Sequence, residues 1–144
     1  MILCEQNLAE FGFEFELDLA TQIATSLTDK DIELVIVDEN AMREINKNQR
    51  GIDKPTDVLS FPLQSIDNAI NLPLGSILIN ANAVKKEAKA RNHSEEAEFA
   101  LLFLHALLHL LGFDHENDSG QMREKERQII EKFALPQSLI IRSE

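Results

Sequence analysis

Between Phe99 and Phe113 every position is apolar except for two histidines, His105 and His109, and one glycine, Gly112. Fifteen residues fall short of the roughly 20 needed to cross a bilayer, so the stretch predicts a helix buried in a protein core. A chain of 144 residues can supply that core, because a domain of about this length buries roughly two-thirds of its unfolded surface. It must do so without disulfides, since Cys4 is the single cysteine. With 44% hydrophobic and 27% charged residues, the composition is that of a globular domain and argues against a disordered chain or a multidomain assembly. The start, Met1-Ile2-Leu3-Cys4-Glu5-Gln6-Asn7, has no charged n-region, apolar h-region or cleavage site. The expectation is a cytoplasmic protein in a reducing compartment, with no membrane segment.

No internal repeat, low-complexity tract or Gly/Ser/Pro linker divides the chain, so residues 1–144 are expected to form one domain. Leu17, Ala20, Ala24 and Leu27 recur at helical spacing, and Leu34-Val35-Ile36-Val37 is a β-branched run that reads as a strand. Asn40 is placed to cap a helix through Met42 and Ile45 to about Gln49, ended by Gly51. Asp57 to Pro62 reads as a strand stopped by its proline; Ile77 to Ile79 is another after Gly75, leading into a helix from about Ala81 to Arg91. Ser94 caps the long apolar helix through Leu111, and Ser119 or Gly120 opens a last helix with Met122, Ile129, Ile130 and Phe133 on one stripe. Met1 to Cys4 either pairs at a sheet edge or frays, and Leu139 to Ile141 is a short strand or a docked tail. Strands interleaved with helices imply an α/β or α+β fold.

Three of the four histidines fall in eleven residues, His105-Ala106-Leu107-Leu108-His109-Leu110-Leu111-Gly112-Phe113-Asp114-His115. On a helix, His105 and His109 lie about 40° apart around the axis and ~6 Å along it, a span one metal ion can bridge. Gly112 can take the left-handed conformation that ends the helix, which lets His115 turn back as a third ligand. Three neutral imidazoles leave a tetrahedral zinc one open position, a catalytic rather than a closed arrangement. Two imidazoles in a wholly apolar helix would otherwise each cost an unmade hydrogen bond. His93, between Asn92 and Ser94 at a helix start, lies outside this spacing and reads as an ordinary partly exposed histidine. The spacing is that of metzincin-type metalloproteases, except that Ala106 stands where those enzymes carry the general-base Glu. Asp114 or Glu116 can substitute for that base in principle, but one of them is needed to orient a ligating imidazole through its other ring nitrogen.

A second stretch runs from Asn48 to Pro62. Alone it reads as a helix end, a Pro-Thr-Asp turn in which Thr56 and Asp57 satisfy backbone groups, and a solvated Arg50. Together the two stretches are specific: Arg50-Gly51 through Asp53, Pro55-Thr56-Asp57-Val58-Leu59-Ser60-Phe61-Pro62, and His105 through His115, in this order. The chain resembles the YbeY family of bacterial endoribonucleases and ribosomal-RNA maturation factors over roughly residues 30 to 132. The resemblance implies a mixed sheet of four or five strands with about five helices and one zinc ion on His105, His109 and His115. It also implies a catalytic arginine at Arg50 and a single-strand-specific endoribonuclease that matures the 3′ end of small-subunit ribosomal RNA and serves ribosome quality control. Its expected partners are that RNA, the small ribosomal subunit and assembly factors. Ala106 stands where the family usually has Gly, Phe113 where Tyr is common, and Ser76 where an acid would follow Leu-Gly.

The charge balance is at first sight unfavourable for RNA. The net charge is −11, but it divides unevenly: −9 over residues 1–44, +3 over 45–91 and −5 over 92–144. Lys47, Arg50, Lys54, Lys85, Lys86, Lys89 and Arg91 are the attraction available to an anionic substrate, although Lys85 to Arg91 also suits any exposed helix face. Two alternatives stay open: a metallohydrolase of peptides or small molecules, and a non-catalytic zinc-containing assembly factor. The same three imidazoles also suit nickel, copper or iron.

Overall fold

The computed structural model describes residues 2–6, 15–63 and 73–136. In chain order the elements are β1 (Ile2–Gln6), α1 (Asp18–Leu27), β2 (Ile32–Val37), α2 (Glu39–Arg50), β3 (Val58–Pro62), β4 (Gly75–Asn80), α3 (Ala81–Ala90), α4 (Glu95–Leu110) and α5 (Gln121–Phe133). The strands form one mixed sheet in the order β1-β2-β4-β3, with β1 and β4 parallel to β2 and β3 antiparallel to β4. The expected α/β domain is therefore present, with four strands and five helices among the described residues. The N-terminal segment pairs rather than frays: Ile2 to Gln6 lie opposite Ile32 to Ile36. Leu139 to Ile141 lies outside the described residues.

The apolar helix α4 is the centre of the molecule, in contact with β3, β4, α1, α3 and α5. From Glu98 to Leu110 its residues are buried apart from His105 and His109, which are half-buried. It lies on the sheet face made by Ile32, Leu34, Ile36, Ile77 and Ile79, with Ile23, Ala24, Met122 and Ile129 closing the same core from α1 and α5. Alternation of buried and exposed positions along β2 is the period-two signature of a strand with one face in the core. At Gly75 the packing leaves no room for a side chain: a Cβ there would sit 2.5 Å from the Phe61 carbonyl oxygen and 2.7 Å from Leu110 Cδ2.

Helix ends follow capping chemistry, with one correction. The cap of α2 is Asp38, whose carboxylate accepts from the Ala41 N–H at 2.8 Å, and Asn40 lies inside the first turn. An Asp one residue ahead of a Glu places both negative charges at the positive end of the helix. Ser94 caps α4 as expected, Gly120 precedes α5, and Gly51 ends α2 in the left-handed conformation at φ +71°. Gly112, at φ +100°, turns the chain after α4 as its position predicts.

Candidate active site

His105 and His109 project from the last two turns of α4, and the turn at Gly112 returns His115 to them. Their donor nitrogens all lie within 4.8 Å of one another. The Nε2 atoms of His105 and His109 are 3.3 Å apart. That separation is the edge of a tetrahedron whose Zn–N bonds are 2.0–2.1 Å, about 3.3–3.4 Å. His115 Nδ1 is buried with no hydrogen-bond partner among the described residues, an unmet polar group of the kind a bound cation or its ligand sphere would satisfy. The donor set and the spacing thus both fit a metal ion.

The carboxylate that orients the cluster comes from α5. Glu126 is fully buried, and its Oε2 lies 3.3 Å from His105 Nδ1. It leaves Nε2 of His105 turned to the cluster, the arrangement in which an acid fixes the tautomer of a ligating imidazole. Neither of the two nearer acids plays this part. Asp114 accepts from Asn117 Nδ2 at 2.6 Å and from the Glu116 N–H at 3.2 Å, which builds the turn and holds its carboxyl below the usual range. Glu116 borders the open cleft. The signal for Glu126 was present in the sequence: it falls four residues after Met122 and three before Ile129, an acid within an apolar stripe.

Burial holds the His109 imidazole below its ordinary pKa, and the neighbouring His105 and His115 push the same way. A backbone hydrogen bond with Phe113 and the charge of Asp114 oppose them in part. The net effect keeps the neutral, metal-binding form of His109 available below the pH at which an exposed histidine protonates. His93 is elsewhere: its Nε2 lies 2.6 Å from Oε1 of the buried Glu98, so it satisfies a core acid at the start of α4 and lies outside the cluster.

Arg50 is the last residue of α2, exposed on the rim of a cleft of about 820 Å³ that also holds the three histidines. No acid among the described residues pairs with it. The loop that follows is tied down on both sides. Arg43 grips Asp53 with two bonds, Nε to Oδ1 at 2.8 Å and Nη2 to Oδ2 at 3.3 Å. Asn46 Nδ2 donates to the Lys54 carbonyl at 2.8 Å, and Asn80 Nδ2 donates to the Thr56 carbonyl at 3.1 Å. Asn46 and Asn80 are buried, and sequence reasoning passed over both. Asp57 also borders the cleft; burial raises its carboxyl above the ordinary value, against hydrogen bonds from the Val58 and Asp57 backbone and the nearby His105, while Glu98 adds to the rise. Ala106 lines the same cleft with a methyl group, so no proton acceptor occupies the position that holds the base in metalloproteases.

Of the basic candidates, Arg50, Lys86 and Arg91 reach the cleft. Arg91 is paired to Glu87 at 2.9 Å, and Lys85 is turned to Glu95 at 3.3 Å, outside the cleft. Within these residues, then, α3 splits into a cleft side and a structural side.

Comparison with known proteins agrees with this geometry. A relative from Campylobacter jejuni named endoribonuclease YbeY is 59% identical over 126 residues, covering 88% of this chain and 92% of its own. Relatives of the same name from a Nitratiruptor species and from Wolinella succinogenes are 55% and 54% identical; they cover 90% of this chain in both cases, and 88% and 90% of their own lengths. The solution structure of TM1509 from Thermotoga maritima superposes with a TM-score of 0.59 at 28% identity, over 92% of this chain and 89% of that one. The family described as endoribonuclease YbeY matches residues 5–134, and with the relatives above it places this chain in that family.

Proposed function

We propose that the chain, as one domain over residues 1–144, is a zinc-dependent endoribonuclease that cleaves single-stranded RNA in the cytoplasm. On this reading it matures the 3′ end of small-subunit ribosomal RNA, in contact with the small subunit and its assembly factors, and serves ribosome quality control. His105, His109 and His115 hold one zinc, and Arg50 is the catalytic arginine. The observation that carries the reading is the convergence of three imidazoles at metal-ligand spacing, in one cleft, with a guanidinium that no acid among the described residues pairs.

When bound, zinc supplies Lewis-acid polarisation of a phosphoryl oxygen and lowers the pKa of water. The chain's own residues do the rest. Glu126 fixes the ring of His105, and the depressed basicity of His109 keeps it free of a competing proton. Arg50 can take two nonbridging oxygens of one phosphate, offsetting charge that builds up as the phosphodiester is attacked. The bonds from Arg43, Asn46 and Asn80 hold the loop between Arg50 and Asp57 in place before substrate arrives, so little ordering cost falls on binding.

The test is cleavage of a single-stranded RNA by protein of measured zinc content, beside His109→Ala and Arg50→Ala variants shown to be folded. Loss in both supports the reading. Equal cleavage in all three identifies a contaminating nuclease. Casein turnover abolished by chelator would instead identify a peptidase, and RNA binding that persists without zinc and without cleavage would identify an assembly factor.

A further inference from the structure

Among the described residues β3 is an edge strand, paired to β4 on one side only. Its pairing register is unbroken from Val58↔Ile79 to Pro62↔Gly75. Two bonds just beyond its ends fix which backbone groups face which way: Asn80 N–H donates to the Asp57 carbonyl, and Leu63 N–H donates to the Leu74 carbonyl. Direct bonds between opposite residues occur at every second pair of an antiparallel ladder. Asp57, Leu59, Phe61 and Leu63 therefore turn their N–H and C=O groups to β4, and Val58, Ser60 and Pro62 turn theirs to the free edge.

That edge faces the cleft. Val58 and Ser60 on one face of the strand, and Leu59 and Phe61 on the other, all line it together with His105 and His109; side chains of both faces border one space when the edge between them opens into it. The donors on the edge are few. Pro62 has no N–H, and the Val58 N–H, at the very start of the strand, lies beside the Asp57 carboxylate, which competes for it. What remains is the N–H of Ser60, flanked by the carbonyls of Val58, Ser60 and Pro62. An added peptide strand needs donors and acceptors alternating over several residues, and an edge with one free donor does not offer them. One N–H beside one C=O does match the paired acceptor and donor on the Watson–Crick edge of a nucleobase.

We propose that the Ser60 backbone, on the free edge of β3, binds the Watson–Crick edge of a base next to the scissile phosphate, and that this contact makes the cleft select unpaired RNA. For uracil, the Ser60 N–H donates to O4 and its carbonyl accepts from N3–H. In a duplex both groups are occupied by the partner base, so the contact is made only by single strands. The proposal rests on the RNA reading above and assigns that reading's strand selectivity to one residue's backbone.

The experiment measures binding of the zinc-loaded protein to an oligouridylate of about ten nucleotides and to the same oligomer methylated at N3. Wild type is compared with Ser60→Pro, which deletes the N–H, and Ser60→Ala, which deletes only the hydroxyl. Proline is compatible with this position because the N–H it removes is not in the ladder, as at Pro62. N3-methylation should weaken wild-type binding about tenfold or more, Ser60→Pro should lose at least about fivefold more than Ser60→Ala, and methylation should cost Ser60→Pro little further. Wild-type binding indifferent to N3-methylation overturns the proposal whether or not the proline variant folds, and so does a proline variant that binds as the alanine variant does. Wild type that binds neither oligomer overturns the RNA reading itself, and the edge proposal with it.

Discussion

Glu126 is a fully buried acid on a helix whose exposed charges pair with one another, Arg127 bonding both Glu124 and Glu131. Its contact with His105 Nδ1 makes it the residue whose loss should be felt at the metal without touching a ligand. Orienting acids of this kind are worth about 10–100-fold in metal affinity, so Glu126→Ala should weaken zinc binding by that factor in a chelator competition, with Glu126→Gln between it and wild type. His109 carries a pH prediction. Its folded-state pKa lies below the unfolded value, so below about 6.5 the unfolded chain takes up a proton that the native state refuses, and stability falls as pH falls through that window. Metal-free protein should therefore lose Tm on acidification from pH 7 towards 5, and His109→Asn should show a shallower loss; parallel curves would remove His109 as the cause. The clustering of His105, His109 and His115 was readable from the sequence because they share one helix and one turn. Asn46 and Asn80 were not, because each acts across elements that only the tertiary fold brings together, and Glu126 showed only as an acid in an apolar stripe, with nothing local to name His105 as its partner.

At the scale of elements, the path from α4 to His115 depends on Gly112, and the contact of β4 with β3 and α4 depends on Gly75. Gly112 sits at φ +100° with open space around its Cα, so a substitution there meets strain in the backbone rather than a clash. Gly112→Ala should cost about 1–3 kcal/mol in urea unfolding and weaken zinc binding by displacing His115. Gly75→Ala fails for the opposite reason, since the new methyl would meet the Phe61 carbonyl and Pro62 Cα, backbone atoms that cannot turn aside. Overpacking of this kind costs about 1–3 kcal/mol, and here it should appear as lost stability with zinc affinity retained in the folded fraction. The same contrast explains what was legible beforehand. The left-handed turn at Gly112 followed from its place after an apolar helix, and the cap glycines followed likewise. The tight approach at Gly75 is set by the antiparallel return of β3 onto β4, a pairing no local pattern encodes. Asp38 displaced Asn40 as the cap of α2 because two capping residues stand two apart, and the one that precedes Glu39 lets the helix gain two residues, about half a turn.

For the molecule as a whole the question is how a chain of net charge −11 holds a polyanion. Part of its positive charge is spent on structure: Arg43 on Asp53, Lys85 on Glu95, Arg91 on Glu87. Arg50 and Lys86 are left on opposite elements of the cleft, on α2 and α3, with the histidine cluster in the same cavity. Attraction is thus local and small in number, and the acidic remainder works against contacts elsewhere. For single strands each phosphate contact adds about 0.7 to the slope of log affinity against log salt, so a cleft in which two cations have no acidic partner among the described residues implies a shallow slope of roughly 1–2. Lys86→Gln should lower that slope by about 0.7, whereas Lys85→Gln, which removes a charge already matched by Glu95 outside the cleft, should leave it in place. Titration of a short oligouridylate at several salt concentrations reads the difference directly. A slope unchanged by Lys86→Gln would mean that α3 does not meet RNA at all, and the cleft would then engage its substrate through Arg50, the metal and the base alone. In that case Arg50 alone would carry the phosphate contact and the slope would be about 0.7, and a partner surface with its own positive charge would have to supply the rest.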